Sequence, residues 1–115
     1  MLDGFPNLAF ALGDTNASWT LKVDLMSSVV ARPLTHMRRT NAAVVTPRLP
    51  STPMDTTPFI DTTSGYSERS RAKPPLQGDQ GPWRLQQHSA KDAVLFLDPV
   101  TEEHLDFGTE IPAAV

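Results

Sequence analysis

A proline-dense middle segment limits what this chain can fold into more than any other feature. Seven of its 11 prolines lie within residues 47–82, and Thr and Ser supply much of the remainder. Each proline fixes φ and removes a backbone donor, so long regular elements are not expected there. Large apolar side chains occur singly, as at Phe59 and Tyr66. The pattern predicts an extended, polyproline-like segment that is either disordered or ordered along a partner, with Phe59 and Tyr66 as contacts.

The rest of the composition allows one small domain with a lean core. Leu, Ile, Val and Phe together make up 27 of the 115 residues. The absence of cysteine excludes disulfides, thiolate catalysis and cysteine-based metal sites. No stretch approaches the roughly 20 apolar residues that span a bilayer. The first residues lack the basic start of a secretory signal, so we expect a soluble, non-secreted protein, cytoplasmic or within a particle.

The N-terminal part, residues 1–46, is predicted to be small and β-rich. Apolar and polar residues alternate over residues 18–25, which is typical of a half-buried strand. One face of this strand would carry four candidates for protein contact: Trp19, Leu21, Val23 and Leu25. Pro33 is expected to stop the apolar continuation of the strand. Residues 42–46 form a second β-type run that ends at Pro47.

The C-terminal part, residues 83–115, is predicted to contain a strand and then a short acidic helix. Residues 93–97 are the densest apolar run of the chain and fit a buried strand or docking segment. Trp83, Phe96 and Leu97 are further candidates for protein contact. Asp98 is a suitable N-cap, Pro99 suits the first helical position, and the glycine at 108 suits a C-terminal stop. The fold class predicted for the whole chain is mainly β, with much irregular or extended backbone.

Charge is distributed unevenly along the chain. Residues 25–54 hold four arginines and no acid, whereas residues 92–115 hold six acids and no Lys or Arg. The arginines are candidates for contact with an anionic partner: Arg32, Arg38, Arg39 and Arg48. No aromatic residue lies between Val23 and Pro58 to stack on a base. Contact between the basic middle and the acidic tail, or a solvated surface of mixed charge, explains the pattern equally well.

No motif of catalysis is present. The sequence has no glycine-rich phosphate loop and no nucleophile elbow. Its acidic cluster around Glu102 offers too few convergent ligands for a metal. No catalytic, cofactor-binding or metal-binding residue is therefore predicted, and the protein is expected not to be an enzyme.

The predicted function is that of a structural or accessory subunit that threads over partner proteins in a large assembly. A virion-type particle or a filament would suit an extended segment with isolated anchors, because such a segment gains order only against a partner surface. Copies of the chain itself are among the expected partners. The alternative is a small binding module whose basic middle contacts nucleic acid or another anionic partner.

Overall fold

A computed structural model describes residues 1–9, 11, 18–59, 76–86 and 88–110. Helix α1 spans Trp19–Thr40 and helix α2 spans Ser89–Leu97. The strands are β1 (Val44–Pro47), β2 (Thr56–Pro58), β3 (Leu76–Gly78) and β4 (Leu105–Gly108). Two 3₁₀ helices cover Gly81–Trp83 and Pro99–His104. The prediction of a mainly β fold is wrong, because one helix of 22 residues outweighs strands of three or four residues each.

Helix α1 has a well-defined C-terminal end. Asn41 adopts a left-handed conformation at φ 57°, and the cap N–H bonds back to the Met37 carbonyl. This is a common helix stop, in which asparagine replaces the usual glycine. Arg38 and Arg39 lie in the last turn, where positive charge complements the helix dipole.

The predicted strand at residues 18–25 is instead the first part of α1. Trp19 and Leu21 are 57% and 51% exposed, whereas Lys22, directly after Leu21, is only 2% exposed. Val23 and Leu25 are half-buried. The predicted apolar row therefore does not share a face.

Pro33 does not stop the apolar run, but lies inside α1. A proline there forgoes one backbone hydrogen bond, at a cost of about 3 kcal/mol. Four hydroxyl side chains of this helix donate to the carbonyl four residues earlier: Ser27, Ser28, Thr35 and Thr40. Such back-bonding satisfies hydroxyls within a helix.

Strand β1 lies between β4 and the start of the chain. It pairs antiparallel with β4, with Val44 opposite Gly108. On its other edge the amides of Gly4 and Asn7 donate to the carbonyls of Pro47 and Val45, at 2.9 Å each. The Asn7 side chain also accepts from the Val45 amide at 3.0 Å. Both edges of β1 are therefore occupied, and its bounds differ by a residue or two from the predicted run at 42–46.

The proline-dense middle contains the two strands of a small sheet. Strands β2 and β3 pair antiparallel, with Thr57 opposite Gln77. Gly78 is buried where a Cβ would overlap the Met54 side chain and approach the Trp83 Cβ to 3.1 Å. Residues 60–75, with the predicted contact Tyr66, lie outside the described residues, whereas Phe59 is half-buried.

The C-terminal part reverses the predicted order of elements. The apolar run at 93–97 belongs to α2 and is not a strand. The expected two-turn helix is the 3₁₀ helix Pro99–His104, and the residues after it, Leu105–Gly108, form β4. A helical segment thus begins after Asp98, at Pro99, as expected. The second half of the predicted helix instead forms a strand, because it pairs with β1.

The core is lean and unusually polar. Among the described residues, Val44 and Trp83 are the buried large hydrophobic side chains, at 2% and 7% exposure. Lys22, Thr46 and Asp92 are buried as well. Ten large hydrophobic side chains of the described part are exposed, among them Phe5, Leu8, Val94 and Leu97. A chain with this balance has little apolar burial to stabilise it alone.

Candidate functional site

The contact between α1 and α2 is centred on a buried ion pair. Lys22 Nζ lies 3.0 Å from Asp92 Oδ2, with side-chain exposures of 2% and 1%. The same ammonium donates to the Gln86 carbonyl at 2.7 Å. Buried charges are tolerated only when they are paired and hydrogen-bonded. The pair therefore fixes which side of α2 faces α1.

Nearly three turns further along α1, Arg32 holds the C-terminal end of α2. Its Nη2 donates to the Phe96 carbonyl at 2.6 Å and its Nη1 to the Leu97 carbonyl at 3.3 Å. The last carbonyls of a helix lack partners within the helix, and a cation there complements the dipole. Arg32 Nε also lies 3.0 Å from Glu102 Oε1, a charge contact without hydrogen-bond alignment. A single guanidinium thus joins α1, α2 and the 3₁₀ helix that follows.

An open cavity of about 330 Å³ lies beside this arginine. Five of its lining residues lie on one side of α1 and the sixth on the 3₁₀ helix: Ala31, Arg32, Thr35, His36, Arg39 and Glu102. The His36 ring packs on Phe107 of β4 with centroids 4.3 Å apart. Arg39 makes no hydrogen bond or ion pair to another described residue. The cavity therefore offers a cation and an imidazole, and Glu102 offsets part of their charge.

The four predicted anion-binding arginines do not converge. Arg32 and Arg39 line the cavity, whereas Arg48 pairs with Asp106 at 3.4 Å, with exposures of 52% and 74%. Arg38 is exposed at the end of α1. The charge distribution of the sequence allowed contact between the basic middle and the acidic tail. Such contact occurs in two pairs, Arg32 with Glu102 and Arg48 with Asp106.

The predicted protein-contact residues are also dispersed. Trp83 is buried, with its ring edge-on to His104 at 5.8 Å. Phe96 is half-buried, whereas Leu97 is 64% exposed. These residues stay predictions as contact sites. Sequence reasoning missed Lys22 and Asp92, although a lysine within an apolar row at helical spacing is a readable signal of a buried pair.

No group of three or more His, Asp or Glu side chains among the described residues is arranged to hold a metal ion. In the part of the chain that the structure describes, neither helix has the length and apolar content needed to cross a membrane.

The chain is similar over its full length to flavoenzymes. It is 42% identical over 116 residues to the FAD-containing monooxygenase EthA of Mycolicibacterium smegmatis, covering 100% of this chain and 23% of that protein. It is 44% identical over 116 residues to EthA of Mycobacterium tuberculosis, covering 100% of this chain and 24% of that protein. It is 40% identical over 109 residues to the putative FAD-containing monooxygenase MymA of Mycobacterium tuberculosis, covering 93% of this chain and 22% of that protein. Neither a protein-family profile nor a solved structure matches the chain.

These similarities overturn the predicted function. The prediction of a structural or accessory subunit in a particle or filament is wrong, because the relatives are named as enzymes. The alternative prediction of a nucleic-acid-binding module is wrong for the same reason. The expectation that the protein is not an enzyme is contradicted by the same similarity. The chain spans about a quarter of the length of the curated relatives that it matches.

Proposed function

We propose that this chain forms one part of an FAD-containing monooxygenase, an enzyme that inserts one atom of dioxygen into its substrate. The observation that carries the proposal is the 42% to 44% identity to EthA over the whole chain. Overall identity at this level, in alignments that span the whole chain, supports a shared fold and a shared position within the enzyme. The predicted location and the predicted protein partners stay predictions.

The residues of this chain do not fit a complete FAD site. Its six glycines are spaced apart and form no G-x-G-x-x-G turn, the loop that brings backbone amides onto a dinucleotide pyrophosphate. The cavity beside Arg32 does not replace such a loop, because that guanidinium already holds two carbonyls and Glu102. The flavin of a complete enzyme would therefore be held chiefly by residues that this chain does not contain.

The described contacts support a packing role for this part of the enzyme. Lys22 with Asp92, and Arg32 with the end of α2, hold the two helices as one unit. Both edges of β1 are closed by β4 and by the first residues of the chain. A unit joined in this way can support neighbouring parts of a larger protein without itself holding the reacting groups.

A chimera tests the proposal directly. The matched segment of Mycolicibacterium smegmatis EthA would be replaced by this chain, and the same protein with the segment deleted would serve as the control. We expect the chimera to copurify with FAD and to incorporate isotope-labelled dioxygen into a substrate of the parent enzyme, whereas the deletion should not. A folded chimera that holds no FAD, or that leaves the substrate unlabelled, would contradict the proposed function.

A further inference from the structure

Helix α2 carries apolar residues on the side that faces away from α1. Asp92 marks the inner side, since it is 1% exposed and paired with Lys22. Val94 lies roughly 200° around the helix from Asp92, at 3.6 residues per turn. Val94 is 74% exposed and Leu97 is 64% exposed, and Ala90 is exposed on the same side. Ala90, Val94 and Leu97 are spaced by four and three residues and form what we call the outer face of α2.

A helix that is apolar on its outer as well as its inner side is normally buried in a larger protein. Leu95 and Phe96 lie half-buried on the inner side. In the described ranges, nothing reduces the exposure of Val94 and Leu97 to a buried level. Exposed apolar clusters of this kind mark interaction surfaces.

The solvent side of α1 is mainly polar, although α1 also exposes Trp19, Leu21 and Leu34. Its exposed positions at helical spacing are Thr20, Asp24, Ser27, Ala31 and Thr35. Four of these five residues are polar, as expected for a helix face in water. The outer face of α2, with Ala90, Val94 and Leu97, is more apolar than this side of α1.

We propose that the outer face of α2 docks on the remaining body of the FAD-containing monooxygenase of which this chain forms one part. The inference rests on the proposed function. The relatives continue for about three quarters of their length beyond the segment that this chain matches, so they contain a large partner surface. The face itself is uncharged, so its partner is an apolar surface and not an anionic one.

The test is Val94→Asp in the EthA chimera and in the chain alone. Valine and aspartate have similar helix propensities, so the substitution changes mainly the chemistry of the face. Ser27→Asp on the polar side of α1 is the matched control, because it places the same acid at an exposed helical position. Circular dichroism melting of the chain alone should be the same for the parent and for both variants. In the chimera, Val94→Asp should lower the melting temperature by several degrees and release FAD, whereas Ser27→Asp should do neither.

The possible failures are distinct. If the parent chimera holds no FAD, both the proposed function and this inference are contradicted. A loaded parent chimera that tolerates Val94→Asp as well as Ser27→Asp would overturn the docking alone. If the Val94→Asp chain unfolds in the absence of the rest of the enzyme, Val94 stabilises the fold of this chain and is not a docking residue. A chain that is dimeric in sedimentation, and becomes monomeric with Val94→Asp, would assign the face to a second copy.

Discussion

Removing one partner of the buried ion pair should destabilise the chain severely. Asp92→Ala leaves the Lys22 ammonium at a site that is 2% exposed, with its 2.7 Å hydrogen bond to the Gln86 carbonyl retained. Loss of one partner from a buried pair costs about 3–5 kcal/mol, because the other charge stays away from water. Domains are stable by only about 5–15 kcal/mol in total. We therefore expect Asp92→Ala to unfold a measurable fraction of the chain without denaturant.

Urea unfolding followed by circular dichroism measures this loss. The control is Asp106→Ala, which removes the acid of an exposed pair whose side chains are 52% and 74% exposed. Solvent and salt screen such a pair, so its loss should cost less than about 1 kcal/mol. A third variant, Lys22→Met with Asp92→Leu, replaces both charges by apolar side chains. It should recover most of the lost stability, since no charge is then left unpaired.

Two results would refute this reasoning. If Asp92→Ala lowers the unfolding free energy no more than Asp106→Ala, the pair is screened by water and does not lie in a dry contact. If the apolar double variant is less stable than Asp92→Ala, the ion pair contributes net stability that hydrophobic packing does not replace.

Four further outcomes follow from the described contacts. Arg32→Lys should lower the unfolding free energy by about 1–3 kcal/mol in urea titration, because an ammonium cannot reproduce the forked contacts of the guanidinium. Leu21→Asp should leave the melting temperature of the chain nearly unchanged, since that side chain is 51% exposed, and a large drop in the melting temperature would show that Leu21 is buried in solution. Gly78→Ala should cost about 1–3 kcal/mol through overlap with a neighbouring methionine, and unchanged stability would show that this side chain moves freely. Burial lowers the pKa of the Met1 amino group, so the unfolded state binds that proton more tightly and stability should fall as pH drops below about 8; acetylating the amine should remove this part of the slope.

The strand prediction at residues 18–25 failed because its window was too short. Over eight residues an alternating pattern is clear, but α1 continues to Thr40. Extended along the whole helix, the half-buried positions include Leu25, Val29 and Pro33, which recur every four residues. That spacing is typical of a helix face, and only a window of 11–18 residues distinguishes it from a strand. The prediction of a short strand near Val44 succeeded because proline and asparagine limit its length on both sides.

The apolar run at 93–97 was ambiguous for a different reason. Short apolar runs fit a buried strand and a buried helix equally, and length decides between them. The run belongs to a helix because Ser89 to Asp92 join it on its N-terminal side. The Arg32 contacts that hold this helix join residues 64 or 65 positions apart, from Arg32 to the carbonyls of Phe96 and Leu97. The pattern of a single sequence does not show which distant residues pair. The site could therefore not be predicted, even though Arg32, Phe96 and Leu97 had been singled out individually.

The buried ion pair determines which side of α2 faces α1, and therefore which side forms the outer face. Because α2 carries apolar residues on its outer as well as its inner side, hydrophobic burial alone does not decide which of its sides faces α1. With the opposite side inward, Val94 would be buried and Asp92 would lose its contact with Lys22. An unpaired charge penalises that arrangement, so the pair selects the rotation of α2. Arg32 selects its position along the axis, because the guanidinium meets the carbonyls only at the last turn.

This division of roles accounts for a core that buries as much polar as apolar side chain. Hydrophobic residues that could have strengthened the two-helix contact lie on the outer face instead, where Val94 and Leu97 stay exposed. A chain that folded only for itself would gain stability by turning them inward. Val94 and Leu97 instead stay exposed, and two charges are buried in the helix contact. This arrangement fits a surface that binds the rest of an enzyme. The apolar double variant separates the two effects, because it should restore stability while removing the charge that specifies the orientation of α2.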